Sequence, residues 1–369
     1  MHLTIAKEQL LNGLQAVQNV VGSRTTLPIL SNVLLRAAGD RLELTATDMD
    51  VTISCAVQAK VAQDGATTVP VRKLFGIVRE LAGMEIDLEV DDKNVTSIRS
   101  GPSFFKVKGL PPEEFPPINL VGGERSVIVP QGKFRMMLKR TSFAISTDES
   151  RYVLNGIYVS LREHKLTMVA TDGRRLAMTD EDVDVAAKSA GDFIIPAKTV
   201  NELNRLLQEA GDAEIRFAEN QASFSLRSES GFTVLILTRL IEGNYPNYRQ
   251  VIPTETKERI PLVREEYLHA LRRAQLMTTD KQTSVKLAFG RNQLAITANS
   301  PDVGEACETI AINYKGKEIA IAFNPGYLID PLSALDTDEV FMEMIDELSP
   351  GVLKVNGPFL YVVMPMRLS

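Results

Sequence analysis

Leu42-Glu43-Leu44-Thr45-Ala46-Thr47-Asp48 comes back as Leu166-Thr167-Met168-Val169-Ala170-Thr171-Asp172, and a third time as Leu294-Ala295-Ile296-Thr297-Ala298-Asn299. Each run ends in a short polar residue, which reads as a strand entering a turn. From Asp48 to Asp172 is 124 residues, and from Asp172 to Asn299 is 127. A second marker keeps the period. Val69-Pro70-Val71-Arg72-Lys73 is matched by Ile195-Pro196-Ala197-Lys198 and by Phe323-Asn324-Pro325; Pro70 to Pro196 is 126 residues and Pro196 to Asn324 is 128. Two markers with one period make the chain a threefold repeat, and a unit this long is a domain, not a stacking element.

Working outward, each third opens with a short strand and an amphipathic helix. The apolar side chains at helical spacing are Leu10, Leu11, Leu14, Val17 and Val21 in the first third. They are Phe134, Met137, Leu138 and Thr141 in the second, and Tyr267, Leu268, Leu271 and Ala274 in the third. Strands follow, then a helix opened by the proline marker, then more strands. Asn324-Pro325 reads as an N-cap followed by the first helical residue. Pro111-Pro112-Glu113-Glu114-Phe115-Pro116-Pro117 and Glu242-Gly243-Asn244-Tyr245-Pro246 break regular structure between the thirds. The expected domains are 1–125, 126–252 and 253–369, and the expected class is α+β.

Bulk composition narrows the function. The 369 residues exceed what one core organises, and 44% hydrophobic with 24% charged is a globular balance. No apolar run reaches membrane-span length. Met1-His2-Leu3-Thr4-Ile5-Ala6-Lys7-Glu8 has no basic segment followed by an apolar one, so no secretory signal is expected. Two distant cysteines, Cys55 and Cys307, argue against a disulfide framework and fit a reducing cytoplasm.

The net charge of −6 is unevenly spread. Residues 71–82 carry +2, 131–140 carry +4 and 263–273 carry +1, while 7–18 and 198–209 are neutral and 324–335 carry −1. The expected helices therefore hold +6 and the rest of the chain −12. A surface made of the helices would attract phosphate. Few aromatics and no tryptophan speak against base stacking, so a sequence-blind hold on duplex phosphates is the better fit. The charge-based candidates are Arg72, Lys73 and Arg79, then Lys133, Arg135 and Lys139, then Lys198, Arg205 and Arg273.

Motifs for chemistry are missing. Gly132-Lys133 and Gly316-Lys317 are followed by Phe134 and Glu318, not by the Ser or Thr of a phosphate loop. His2, His164 and His269 lack metal spacing, and no nucleophile elbow is present. Asp48/Asp50 and Asp182/Asp184 are the acidic pairs that a metal site would use; the first reads as a strand-end turn, because its third-repeat counterpart is Asn299. No catalytic residue, metal or cofactor is expected. The competing readings are a metal-dependent nucleotide-processing enzyme built on the aspartate turns, and a scaffold without DNA contact. Hydrolysis with divalent metal separates the first, and salt-dependent duplex binding the second.

Leu27-Pro28-Ile29-Leu30, Thr171-Asp172-Gly173-Arg174-Arg175-Leu176, Tyr245-Pro246-Asn247-Tyr248-Arg249 and Tyr361-Val362-Val363-Met364-Pro365-Met366-Arg367-Leu368 are similar, end to end and in order, to the bacterial sliding clamp family, the beta subunit of the replicative DNA polymerase. The resemblance implies three similar clamp domains per chain and a head-to-tail homodimeric ring. Helices would line the hole around duplex DNA, with antiparallel sheets outside. It implies a DNA contact at Arg24, with acidic Asp148 departing from the family at a neighbouring position. It also implies a pocket for partner peptides formed by Leu154, Thr171, Gly173, Arg174, Arg175 and Leu176, by Pro246, Val251 and Leu348, and by Val362, Val363, Met364, Pro365 and Met366. Gln250 and Pro350 depart there from the best-known pattern of arginine and serine. The implied peptides carry a glutamine and a hydrophobic cluster. Their bearers are the polymerase alpha subunit, the clamp loader, other polymerases, ligase and mismatch repair proteins. The implied subunit interface joins Phe105 and Val107 to Leu276 and Met277.

Overall fold

The computed structural model describes residues 1–22, 27–122, 125–184, 189–280 and 282–367. In the first third, β1 (His2–Ala6) runs straight into α1 (Lys7–Val17). β2 (Asn32–Ala38), β3 (Arg41–Thr47), β4 (Val51–Gln58), β5 (Lys60–Gln63) and β6 (Gly65–Pro70) follow, then α2 (Val71–Glu80), β7 (Glu85–Val90), β8 (Val95–Ser100) and β9 (Ser103–Lys108). The second third repeats the order as β10 (Ser126–Pro130), α3 (Gln131–Thr141), β11 (Gly156–Arg162), β12 (Lys165–Thr171), β13 (Arg175–Asp182), β14 (Gly191–Pro196), α4 (Ala197–Leu206), β15 (Asp212–Phe217), β16 (Gln221–Arg227) and β17 (Thr233–Arg239). The last third is β18 (Glu258–Val263), α5 (Arg264–Gln275), β19 (Val285–Gly290), β20 (Gln293–Ser300), β21 (Gly304–Ala311), β22 (Ile319–Phe323), α6 (Pro325–Ala334), β23 (Glu339–Met344), β24 (Gly351–Lys354) and β25 (Phe359–Val363). The α+β expectation holds, and β5 is the one strand that the other thirds lack among the described residues. Among those residues no helix is long and apolar enough to cross a membrane.

The helical spacings read from the sequence are the buried faces. Leu10, Leu14 and Val17 of α1, Phe134, Met137 and Leu138 of α3, and Tyr267, Leu271 and Ala274 of α5 are all fully covered. Gly13 lets α1 lie close on its sheet, because a Cβ there would stand 2.9 Å from Leu44. Asn324 caps α6 as expected, its Oδ1 accepting the Gly326 N–H at 2.9 Å.

The first residue of the opening helix ties down the end of the second in every repeat. Lys7 donates to the carbonyls of Arg79, in the last turn of α2, and of Leu81 just past it. Gln131 accepts the Gln208 N–H beyond α4 at 3.0 Å. Arg264 donates to the carbonyls of Leu332 and Thr337 around the end of α6. Carbonyls at a helix end have no helical partner, so Lys7 and Arg264 serve the fold by supplying donors, while Gln131 holds the chain just past its helix through a backbone N–H.

The chain divides into two compact units, residues 1–135 with 183–190 and 198–240, and residues 136–182 with 191–197 and 241–369. The first holds a five-stranded sheet in the order β5-β1-β7-β8-β9 and an eight-stranded sheet in the order β10-β15-β16-β17-β4-β3-β2-β6. The second holds an eight-stranded sheet, β14-β11-β12-β13-β25-β24-β23-β18, and a four-stranded one, β21-β20-β19-β22. The eight-stranded sheets are each made by two thirds joined edge to edge. In one, Val51 faces Thr238 across β4 and β17; in the other, Arg175 faces Val363 across β13 and β25. These are equivalent positions. Val51 and Arg175 are separated by the same 124 residues as Asp48 and Asp172. Following the ladders through each repeat makes Thr238 and Val363 counterparts of each other, and of Val107 in β9.

Candidate functional site

The β12–β13 hairpin turns on Thr171-Asp172-Gly173-Arg174. Gly173 sits at φ 87°, a left-handed conformation open to glycine at no steric cost. Asp172 Oδ1 accepts the N–H of Arg174 at 2.9 Å and of Arg175 at 3.1 Å, so this aspartate is a turn residue, as its sequence context suggests. Thr171 Oγ1 accepts the Gly173 N–H at 3.1 Å and donates to the Arg175 carbonyl at 2.6 Å. The neighbouring last strand is continued by the Met364 N–H, which donates to the Arg174 carbonyl at 2.9 Å. The Met366 N–H then bonds the Ala322 carbonyl at 2.8 Å.

Around this corner the chain leaves apolar groups in solvent. Val251, Met364 and Met366 are exposed, and Leu348 is 87% exposed. Asp346 accepts the N–H groups of Leu348 and Ser349 at 3.0 and 2.8 Å, which fixes the loop that presents Leu348. That loop enters β24, whose Gly351 faces Val363. Leu176 and Val362 are buried with Val169, and Tyr245, Tyr248 and Ile252 of the second connector pack on that cluster. Leu154 is buried at the end of a 3-10 turn, and the neighbouring Arg151 lies beside Gly173. The result is an apolar corner with flexible methionines, suited to an adaptable contact.

The two arginines of the hairpin separate. Arg174 is exposed. Arg175 turns inward and donates to Asp172, Asp330 and the Phe143 carbonyl, with its guanidinium 4.5 Å from the Tyr327 ring centre. Burial opposes its charge, but the Asp330 hydrogen bond, Tyr361 and the two carboxylates outweigh that and raise its pKa. Of the two arginines expected in the pocket, Arg174 is exposed and Arg175 is largely enclosed by these partners. Arg151, Tyr327 and Asp330 were not among the expected site residues, and nothing in the local pattern signals them.

The basic candidates divide in the same way. Lys73 is an exposed residue of α2, and Lys133 one of α3. Four others sit in exposed ion pairs: Arg79 with Glu80, Arg135 with Glu209, Lys139 with Asp336 and Arg273 with Glu308. Arg72 donates to the Val21 carbonyl at 3.2 Å. Lys198 pairs with Asp48 and reaches the Val20 carbonyl, and burial lowers its pKa. Arg205 donates to the carbonyls of Gln15 and Ala16 at 2.8 and 2.7 Å and to Glu202. Lys198 and Arg205 thus brace the stretch that ends α1. Arg24 lies outside the described residues. Asp148 caps a 3-10 turn through Ser150, which together with Arg151 holds its carboxyl below the usual range.

Phe105 lies exposed and Val107 half-buried on β9, an edge of its sheet, and Leu276 is 72% exposed after α5, with Met277 half-buried beside it. β21 is likewise an edge, with Cys307 exposed on it. Among the described residues no cluster of His, Cys, Asp and Glu could hold a metal.

Three family descriptions match the chain in series: DNA polymerase III beta subunit N-terminal domain over residues 1–120, central domain over 128–247 and C-terminal domain over 249–367. A beta sliding clamp from Chlamydia muridarum is 35% identical over 100% of this chain and 99% of its own. Another, from Pseudomonas putida, is 35% identical over the whole of both. The crystal structure of a sliding clamp, DNA polymerase III subunit beta, from Bartonella birtlesii bound to griselimycin has a TM-score of 0.94, 35% identity and full coverage of both chains.

Proposed function

The chain belongs to the bacterial DNA polymerase III beta subunit family, the sliding clamps, and from that premise we propose that two copies close head to tail around duplex DNA and dock partner proteins at the Thr171–Leu176 corner. The family's members are processivity factors and not enzymes. The observation that carries the assembly is the junction rule. Each third offers one edge strand from before its second helix and one at its end. β4 takes β17 and β13 takes β25, in the same register. That leaves β9 and β21 as the unused pair. Among the described residues of one chain no further strand pairs with either, and unpaired edges invite another strand. A second copy supplies both, and the closed arrangement leaves neither edge open.

The rule fixes a register. Val51 and Arg175 correspond to Gly304 through the hairpin ladders, so Val107 would face Gly304 and Phe105 would face Ala306. The counterparts of the second pair, Ile53 with Ile236 and Ala177 with Tyr361, are fully buried, as an interface centre requires. Leu276 and Met277 would lie against the joined strands. Duplex DNA would meet the exposed basic side chains of α2, α3 and α5. Surface ion pairs are worth about 0–1 kcal/mol, so Arg79, Arg135, Lys139 and Arg273 can exchange carboxylate for phosphate at little cost. Linkage by the ring would let each contact stay weak, and the protein would slide in the cytoplasm along the nucleoid DNA. The docking corner would take a glutamine-bearing hydrophobic peptide from the polymerase alpha subunit, the clamp loader, other polymerases, ligase or mismatch repair proteins.

Retention on nicked circular DNA, with loss when the circle is linearised, is the expected result after loading. Equal loss from both forms would sink the proposal. The register has its own test. Phe104→Cys in a Cys55→Ser background should give a disulfide-linked dimer through Cys307 on mild oxidation, whereas Phe105→Cys should not.

A further inference from the structure

We propose that the protein carries a second peptide-docking groove, at the β4–β17 junction, with charge selectivity different from that of the Thr171–Leu176 corner. The inference extends the docking reading of that corner and rests on it. The two corners match bond for bond. Asp48 Oδ1 accepts the N–H of Asp50 at 3.1 Å and of Val51 at 2.9 Å, as Asp172 does for Arg174 and Arg175. Thr47 Oγ1 accepts the Met49 N–H and donates to the Val51 carbonyl, both at 3.1 Å, as Thr171 does around Gly173. Met49 takes the glycine's conformation, at φ 83°. The Arg239 N–H bonds the Asp50 carbonyl at 3.1 Å, the counterpart of Met364 to Arg174.

This corner opens into a cavity of about 190 Å³. Its lining includes Met49, Asp50, Thr52, Leu237 and Arg239, the counterparts of Gly173, Arg174, Leu176, Val362 and Met364. Pro117 and Ile118 of the first connector form another wall, as the second connector does over Leu176 and Val362. The chemistry differs in sign. Asp50 stands where the other corner shows Arg174, and Arg239 stands where it shows Met364. The occupant that fits is an extended segment of another protein. It has an aliphatic anchor, a lysine or arginine toward the hairpin and a carboxylate toward the last strand. A small volume and two threonines, Thr52 and Thr238, favour one aliphatic side chain over an aromatic cluster.

The probe is the blocked peptide Gln-Lys-Leu-Leu-Glu, followed by hydrogen exchange and fluorescence anisotropy on the full chain. It should slow exchange at 47–52 and 237–239. Asp50→Lys, an exposed change, should weaken binding about tenfold or more. Asp50→Lys with Arg239→Glu should then prefer the charge-reversed peptide Gln-Glu-Leu-Leu-Lys. Protection only at 171–176 and 362–366, no protection anywhere, or indifference to Asp50→Lys would each overturn the second groove. A glutamine-bearing hydrophobic peptide serves as control. Its failure to protect 171–176 would remove the docking reading of that corner, a separate outcome.

Discussion

Arg175 and Arg174 are adjacent in sequence and alike in charge, yet they hold different places in the protein. Arg175→Ala would leave Asp330 and the Phe143 carbonyl without their donor in a partly buried setting. We expect a loss of about 3 kcal/mol, seen as a lower denaturant midpoint. Arg174→Ala should leave stability within about 0.5 kcal/mol and change only peptide affinity. Gly173 and Met49 form a natural reciprocal pair. A side chain at Gly173 keeps a left-handed backbone and places its Cβ 2.6 Å from Arg151 Nη1, so Gly173→Met should cost about 1–2 kcal/mol. Met49→Gly releases similar strain but gives back glycine's extra freedom in the unfolded chain, for a net gain of about 0.5 kcal/mol. The turn itself was legible from Thr-Asp-Gly. That Met49 adopts it too was not, because methionine carries no turn signal and only the repeat alignment points there.

At the scale of elements, the period and the buried faces of α1, α3 and α5 could be read directly from the sequence. The state of the helix charges could not. Glu209 pairs with Arg135 and Asp336 with Lys139 from 74 and 197 residues away, and no local pattern announces such partners. Lys7 and Arg264 counted as basic helix charge, although both are occupied by carbonyls at the end of the neighbouring helix. The distinction is testable. Lys133→Ala with Lys139→Ala should weaken duplex association and reduce the slope of log K against log salt by about 0.9 for each phosphate no longer neutralised. Arg205→Ala should leave that slope unchanged and lower thermal stability, because its guanidinium holds the Gln15 and Ala16 carbonyls. An equal change of slope in both variants would return Arg205 to the DNA surface.

For the whole molecule, assembly turns on one strand pair that a single chain does not make. The repeat was visible in the sequence. The edge-to-edge rule was not, since β4 and β17 lie far apart in sequence and register emerges only from the ladders. The two cysteines report on that rule. Burial, followed by the charge of Glu43, pushes the Cys55 thiol up to about 12. It should stay protonated and unreactive at pH 8 in any folded state. Its raised pKa contributes stability that is whole below the unfolded value of 9.0 and fades as pH climbs toward about 12. Cys307 is exposed on β21 in the single chain but faces Phe104 of the second copy in the proposed register. Neither thiol should therefore react quickly in the assembled protein. Leu276→Glu with Met277→Glu should give monomers in which Cys307 alone is alkylated, as sedimentation and mass spectrometry would record. Alkylation of Cys307 at the same rate in a wild type that sediments as a dimer would place the interface on some other edge.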